Sequence, residues 1–204
     1  MPLKIVTFYL PINMILSIDE TKLDKNLICD VQFKDLKTFP DDRGFFREVV
    51  RVSDDFFREG FGQWSHSKMG KDTVKAWHFH HRQVDWWYVG LGVIHTVLYD
   101  LREESPTFKK KLEFKLGENS LDPQALTAVV RIPTGVLHGC KVLSEQAHLF
   151  YITSRTYDPN DEGRFPFNSE IVPHKWGGKN ETLIVAENDK RTFMPTQDRI
   201  PIDF

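Results

Sequence analysis

Cysteine, an excess of charge of one sign and long apolar runs are all scarce in this sequence, and each scarcity excludes a class of protein. Cys29 and Cys140 are the only cysteines in 204 residues, and their separation matches neither a zinc site nor a redox motif. We therefore expect free thiols in a reducing, cytoplasmic compartment. The formal net charge is −2 and no dense Lys/Arg cluster occurs, so nucleic acid and anionic membranes are not expected partners.

No stretch is long and apolar enough to predict a transmembrane helix. The apolar start from Lys4 to Leu16 is interrupted by Pro11 and is short for a signal peptide. It also lacks a charged leader and a small-residue cleavage site. The sequence thus predicts a soluble protein with no membrane partner.

Short β-type runs separated by turn formers fill the middle of the chain, a pattern typical of a β-sandwich or barrel. The predicted strands are Ile28–Leu36, Phe45–Val52, Val74–His80, Asp85–Val89, Val93–Leu101, Lys110–Leu116, Thr127–Ile132, Val136–Leu143 and Ala147–Ser154. One short helix is predicted over Ser53–Glu59, with Ser53 as its N-cap. After Tyr157 the pattern loosens into an irregular C-terminal wrap. Without repeats or linkers, residues 1–204 are predicted to form a single all-β domain.

The chemistry is concentrated between Lys75 and Gly92, where three histidines and a carboxylate lie among apolar strand formers. Burying ionisable groups in such surroundings costs free energy unless they are paired, liganded or catalytic. Because alternate residues of a strand share a face, His78 and His80 are predicted to point inward together. Trp77 and the next aromatic along the strand would then pack on the opposite face.

The pattern His78-x-His80-x4-Asp85-x6-Gly92, followed by Pro133-x-Gly-x2-His138, resembles the two cupin motifs. That resemblance implies a double-stranded β-helix of the jelly-roll type. It also implies a candidate site for a divalent transition metal, formed by His78, His80, Asp85 and His138. The acidic position carries Asp where Glu is usual.

A wider set of motifs resembles the dTDP-4-dehydrorhamnose 3,5-epimerase family, which shares the cupin barrel. These motifs are Asp42-Arg-Gly-Phe-Phe-Arg-Glu48, Gln63-Trp-Ser-His-Ser67, Asp100-Leu-Arg-Glu-Glu-Ser-Pro-Thr107, Ile132-Pro-Thr-Gly-Val-Leu-His-Gly139, Val142-Leu-Ser-Glu145 and Tyr157-Asp-Pro. The resemblance implies an enzyme that removes protons beside the C4 ketone of a nucleotide-linked sugar and returns them on the opposite face. It implies no requirement for a metal or a redox cofactor.

The same resemblance implies roles for individual residues. His78 matches the general base, Asp189 the acid that orients it, and Tyr151 the proton donor on the far face. The substrate-binding positions are Arg43, Phe46, Glu48, Gln63, Lys75, His138 and Tyr157. Of these, Gln63 and Lys75 match contacts to the nucleotide and its phosphates, and Lys75 replaces the usual arginine. The Arg43–Glu48 segment matches one that reaches into the neighbouring subunit, which implies a homodimer with segment exchange.

One position departs from the family: the lysine that steadies negative charge on the C4 oxygen aligns with Asp85. Arg82 or Lys75 could supply the missing cation, a metal held by the histidines and Asp85 could do so, or the activity could differ.

The preferred hypothesis is an epimerase or isomerase acting on a nucleotide-diphosphate 4-keto-6-deoxyhexose. The alternatives are a metal-dependent cupin enzyme, such as an oxygenase or small-molecule isomerase, and a binding module without catalysis. The remaining histidines are predicted to be surface or packing residues: His66, His81, His95, His148 and His174.

Overall fold

The computed structural model describes residues 27–194, and the apolar start at Lys4–Leu16 lies outside them. The elements in chain order are β1 Gln32–Asp35, β2 Thr38–Asp41, β3 Gly44–Arg47, a 3₁₀ turn Asp55–Phe57, β4 Gln63–Gly70, β5 Thr73–His80, β6 Asp85–Leu91, β7 Val93–Asp100, β8 Lys111–Gly117, β9 Ala125–Leu126, β10 Ala128–Ile132, β11 Val136–Val142, β12 Gln146–Thr153, β13 Glu162–Arg164, β14 Ile184–Val185 and a 3₁₀ turn Glu187–Lys190. The predicted all-β fold is confirmed. None of the helical turns in this range has the length and apolar character that a membrane span requires.

Two sheets form the body of the protein. One has the order β1-β10-β6-β12-β4, and the other has the order β13-β5-β11-β7-β8-β9, with β14 also paired to β5. Most neighbours are antiparallel and not consecutive in the chain, as in the predicted jelly roll. A separate hairpin, β2–β3, belongs to neither sheet.

The main core lies between the two sheets, where alternate residues of each strand turn inward. Ile94 and Leu98 of β7 are fully buried there, together with Leu112 of β8 and Val130 of β10. One end of this interior carries polar side chains instead, and that end forms the cavity described below.

The outer face of β5 is covered by the C-terminal part of the chain. Trp77 and Phe79 point to this face, as predicted, and both are buried against a cluster that includes Val172 and Trp176. The segment predicted as an irregular wrap therefore completes a second apolar layer. It also supplies β13 and β14, which pair with β5.

Three local predictions were wrong. The strand predicted over Phe45–Val52 is only β3, Gly44–Arg47, because its partner β2 begins at Thr38, the register partner of Arg47. The helix predicted over Ser53–Glu59 is a single 3₁₀ turn, and Asp54, not Ser53, occupies the N-cap position, without a side-chain capping bond. Strand β4 was missed because its inward positions are polar. Its side chains alternate strictly in burial, and Gln63 and Ser67 face the cavity, so the apolar period of an ordinary strand is absent.

Candidate active site

A cavity of about 400 Å³ is lined by residues from both sheets and from the turn at Glu187–Lys190. β5 and β11 bring the histidines into it, because His78 and His138 are direct partners in the antiparallel register. His80, two residues along β5, stacks against His138 with ring centroids 5.6 Å apart. The predicted convergence of these three imidazoles is thus present in the structure.

His78 lies between two carboxylates. Its Nε2 is 3.0 Å from Asp189 Oδ1, and its Nδ1 is 3.3 Å from Glu162 Oε1. Asp189 is 4% exposed and arrives on the 3₁₀ turn that follows β14, while Glu162 is on β13. Both short strands pair with β5, which fixes the two acids against the imidazole.

Arg164 couples the two acids. Its Nε is 2.5 Å from Glu162 Oε1, and its Nη1 is 3.8 Å from Asp189 Oδ1. Burial alone would lower the pKa of Arg164, but the hydrogen bond to Glu162 and the negative charges of Glu162 and Asp189 together outweigh that effect, and the pKa is raised. The guanidinium therefore stays charged and offsets part of the negative charge around His78.

Asp85 lies at the other end of the cavity and is satisfied by neutral donors. Gln83 Nε2 donates to its Oδ1 at 2.7 Å, and Trp87 Nε1 donates to its Oδ2 at 3.2 Å. His138 Nε2 is 3.9 Å from Oδ2, and Gln83 Nε2 also lies 3.3 Å from His80 Nε2. The position where the family resemblance implies a lysine is thus a hydrogen-bonded carboxylate beside two imidazoles.

His138 is held neutral. Its burial lowers the pKa to about 4, although the nearby Asp85 carboxylate works in the opposite direction. Its Nδ1 donates to the Val136 carbonyl at 3.1 Å, so the proton of the neutral ring is on Nδ1. The unprotonated Nε2 therefore faces Asp85.

The other predicted site residues divide into two groups. Tyr151 on β12, Tyr157, Gln63 and Lys75 line the cavity. Gln63 Oε1 accepts a hydrogen bond from the Tyr157 backbone N–H at 3.0 Å and so holds the loop that carries this exposed aromatic. Lys75 Nζ donates to Ser67 Oγ at 2.7 Å.

Arg43, Phe46 and Glu48 form the second group, which lies away from the cavity of this chain. They belong to the β2–β3 hairpin and the residue after it, and Phe46 is 62% exposed. Arg43 pairs with Asp41 at 2.7 Å. None of these residues is among those that line the cavity of their own chain.

Arg82 forms its ion pairs outside the cavity. Its side chain pairs with Asp158 at 2.6 Å and with Asp161 at 3.3 Å, and it is not among the cavity residues. The suggestion that Arg82 replaces the family lysine is therefore not supported by its position.

The candidate metal ligands do not act as one set. Donor atoms of His80, Asp85 and His138 lie within 4.8 Å of one another, but His78 does not belong to this group. Two imidazoles and a carboxylate are suitable ligands for a divalent transition metal. The fourth predicted ligand, His78, is instead engaged by Asp189 and Glu162.

Sequence reasoning missed Glu162, Arg164 and Gln83. The alternation Glu162-x-Arg164, immediately after the Tyr157-Asp-Pro motif, was the available signal for a short strand facing the site. It lay in a segment interpreted as irregular.

Residues 25–196 match the family model described as dTDP-4-dehydrorhamnose 3,5-epimerase. The chain is 40% identical over 153 residues to the spore coat polysaccharide biosynthesis protein SpsL of Bacillus subtilis, covering 74% of this chain and 97% of the relative. It is 32% identical over 162 residues to the dTDP-4-dehydrorhamnose 3,5-epimerase of Salmonella typhimurium, covering 74% of this chain and 84% of that enzyme.

Among solved structures, the chain is similar to a dTDP-4-dehydrorhamnose 3,5-epimerase from Elizabethkingia anophelis. The TM-score is 0.69 and the identity 26%, over 84% of this chain and 94% of the other. A dTDP sugar isomerase from Desulfovibrio desulfuricans gives a TM-score of 0.67 at 27% identity, over 73% of this chain and 92% of that one.

Proposed function

Because this chain belongs to the dTDP-4-dehydrorhamnose 3,5-epimerase family, we propose that it epimerises a nucleotide-diphosphate 4-keto-6-deoxyhexose at a carbon beside the C4 ketone. The predicted family, jelly-roll fold and enzyme class of carbohydrate epimerase are confirmed by the comparisons. The relatives do not favour the metal-dependent cupin alternative. One observation carries the residue assignments: the His78–Asp189 pair lies in a cavity that Tyr151 also lines.

His78 is the proposed base. Asp189 makes the shorter contact, at 3.0 Å, so it accepts the Nε2 proton and leaves the Nδ1 lone pair to remove a proton from the sugar. The carboxylate then stabilises the imidazolium that forms, as acids behind catalytic histidines do. Glu162, 3.3 Å from Nδ1, adds to this stabilisation once the proton has moved.

Tyr151 is the proposed donor on the opposite face of the sugar. It projects from β12 of the five-stranded sheet, whereas His78 projects from β5 of the other sheet. A planar enolate held between the two sheets would meet the base on one side and the phenol on the other. Protonation by Tyr151 then inverts the carbon, and both transfers use side chains alone, so no cofactor is required.

Negative charge on the C4 oxygen needs a donor in place of the family lysine, whose position Asp85 occupies. His138 Nδ1 donates to the Val136 carbonyl, and Arg82 is paired away from the cavity. The cavity also holds the Lys75 ammonium, which donates to Ser67 Oγ at 2.7 Å, and the His80 imidazole beside Asp85, and we propose that one of these two side chains is the donor. If a divalent metal were bound instead, His80, Asp85 and His138 would hold it, and it would supply Lewis-acid polarisation of the ketone.

We further propose that the active unit is a homodimer in which the β2–β3 hairpin reaches the partner's nucleotide site. Two observations support this. Phe39, Phe45 and Phe46 are between 44% and 62% exposed on the hairpin, although apolar patches of this kind usually mark interfaces. In addition, β4 ends its sheet within the described part of the chain, and an open edge strand is usually covered.

The test is exchange of solvent deuterium into dTDP-4-keto-6-deoxyglucose, followed by NMR. We expect deuterium at C3, at C5 or at both, together with inverted product. Tight nucleotide-sugar binding without exchange would identify the protein as a binding module. No exchange with this or other nucleotide-linked 4-keto sugars would refute the proposal.

A further inference from the structure

A second cluster of metal-binding side chains lies outside the cavity, on the outer face of the seven-stranded sheet. His95 is on β7 and Glu113 is on β8, where Glu113 is the register partner of Val97, so the two are diagonal neighbours on one face. His174 joins them from the C-terminal segment. We propose that His95, Glu113 and His174 bind a divalent transition-metal cation, with zinc as the best fit.

Two of the three donor–donor distances are close to those of a zinc site. Glu113 Oε2 is 3.1 Å from His95 Nε2 and 3.5 Å from His174 Nδ1. Zinc–nitrogen and zinc–oxygen bonds of about 2.0–2.2 Å in a tetrahedron place the donors about 3.3–3.6 Å apart. Three donors from two imidazoles and a glutamate, with a fourth position open, form a ligand set that zinc uses in proteins.

The charges around the cluster leave Glu113 Oε2 available. Lys111 Nζ is 2.6 Å from the other carboxylate oxygen, Oε1, and donates to the Pro173 carbonyl at 2.9 Å. It thereby orients the carboxylate and fixes the residue before His174. The two lysines beside His95 in the sheet register, Lys115 and Lys141, have acidic partners of their own.

His174 supplies an independent indication. Its side chain is 7% exposed, and its Nε2 is buried without a hydrogen-bond partner. The ring packs edge-to-face with Trp176, with centroids 4.5 Å apart. Without a cation, a neutral His174 that donates from Nδ1 to Glu113 leaves a bare lone pair on Nε2 among aromatic rings.

A cation on Nδ1 reverses that arrangement. The proton moves to Nε2, and an N–H among aromatic rings is accommodated by their negative faces, whereas a lone pair is not. His95 and Glu113, with side chains 26% and 30% exposed, leave a path from solvent. A bound cation would tie the C-terminal segment to the sheet.

The experiment uses the full chain, freed of metal with a chelator and titrated with Co²⁺ and then with Zn²⁺. Tetrahedral Co²⁺ absorbs strongly in the visible range, and Zn²⁺ should displace it and raise the melting temperature. Glu113→Gln keeps the shape and one oxygen acceptor, so it should fold, and we expect it to bind Zn²⁺ more than about 100-fold more weakly. His174→Asn should weaken Zn²⁺ binding to a similar extent.

His138→Asn is the matched control, because it removes a ligand from the cavity group His80–Asp85–His138 and should leave Co²⁺ binding unchanged. Binding lost in His138→Asn but retained in Glu113→Gln would assign the cation to the cavity and overturn the proposal. Absence of Co²⁺ and Zn²⁺ binding by the unmodified chain would overturn it as well, leaving an ion-paired triad. None of these readouts depends on epimerase activity.

Discussion

His78 has a carboxylate opposite each ring nitrogen, and this arrangement makes its replacement informative. We expect His78→Asn to lower deuterium exchange by about 10²–10⁴-fold, the usual contribution of a general base, with little change in dTDP affinity. His81→Asn is the control, because His81 is exposed and lies outside the cavity. Exchange above about a tenth of the unmodified rate would remove His78 from the mechanism.

Tyr151→Phe should separate the two proton transfers. Removing only the phenolic oxygen leaves the base intact, so solvent exchange at the abstraction step should continue. Net inversion should fall, since the donor on the opposite face is lost. The measurement is the ratio of deuterium incorporation to inverted product by NMR, and normal inversion would make Tyr151 a packing residue.

Asp85 accepts hydrogen bonds from Gln83 and Trp87, so restoring the family lysine here should be harmful. Asp85→Lys leaves both buried donors without an acceptor, and each such loss costs about 1–3 kcal/mol. We expect the free energy of unfolding to fall by about 2–6 kcal/mol in urea. Asp85→Asn, which keeps one acceptor oxygen, should lose about half as much, and equal stability of the three proteins would contradict this account.

At the scale of elements, the β2–β3 hairpin is a two-stranded unit with three exposed phenylalanines. Isolated two-stranded hairpins are marginally stable in water, so a partner surface is expected. Phe46→Ser should shift the protein from dimer to monomer in light scattering and weaken dTDP binding. Leu121→Ser, at 60% exposure in the loop after β8, is the control and should change neither property. A monomeric unmodified protein with full activity would refute the exchange.

The elements also show how far the sequence could predict the structure. Strands with apolar alternation, such as β7 and β8, were predicted to within one residue at each end. β4 was not, because a strand that faces a polar cavity has no apolar period. The short strands β13 and β14 owe their existence to pairing with β5, a tertiary contact that local propensity does not encode.

The candidate site likewise contains some residues that the sequence could predict and others that it could not. His78, His138 and Tyr151 were predicted from the family resemblance, and they do line one cavity, although their roles stay predictions. The contact between Glu162 and His78 depends on how the chain returns to β5. Likewise His95 and His174, predicted to be surface or packing residues, share Glu113 only because the C-terminal segment folds back over the sheet.

For the whole molecule, acid should be destabilising well before the carboxylates are protonated. His138 has a pKa of about 4 in the folded protein, because burial penalises its charged form, against about 6.5 when unfolded. The unfolded chain therefore binds the proton more tightly. The free energy of unfolding falls as pH drops through 6.5, by about 3 kcal/mol in total, and this contribution stops changing below about pH 4.

Urea unfolding between pH 7 and pH 4 measures this slope. His138→Gln should flatten it. Below about pH 4 the further loss of stability comes from the Asp100 carboxylate. Burial would raise its pKa, but hydrogen bonds from Arg102, Ser105 and Thr107 lower it, so stability is lost as that carboxylate is finally protonated. An unchanged slope in His138→Gln would contradict the assignment.

The prediction of one domain over residues 1–204 extends beyond the described residues and stays a prediction. Within residues 27–194, the two sheets and the C-terminal layer share buried clusters that leave no break between them.

The late position of Asp189 has a consequence for synthesis on the ribosome. β1 to β12 are translated before residue 154, whereas Asp189, the acid proposed to orient His78, emerges only after β13 and β14. Chains fold from their N-terminal side as they emerge. A chain that stops before residue 187 would thus contain His78 and Tyr151 but neither Asp189 nor the turn that closes one side of the cavity. Under the proposed assignment, catalytic competence is the last property that translation confers on this protein.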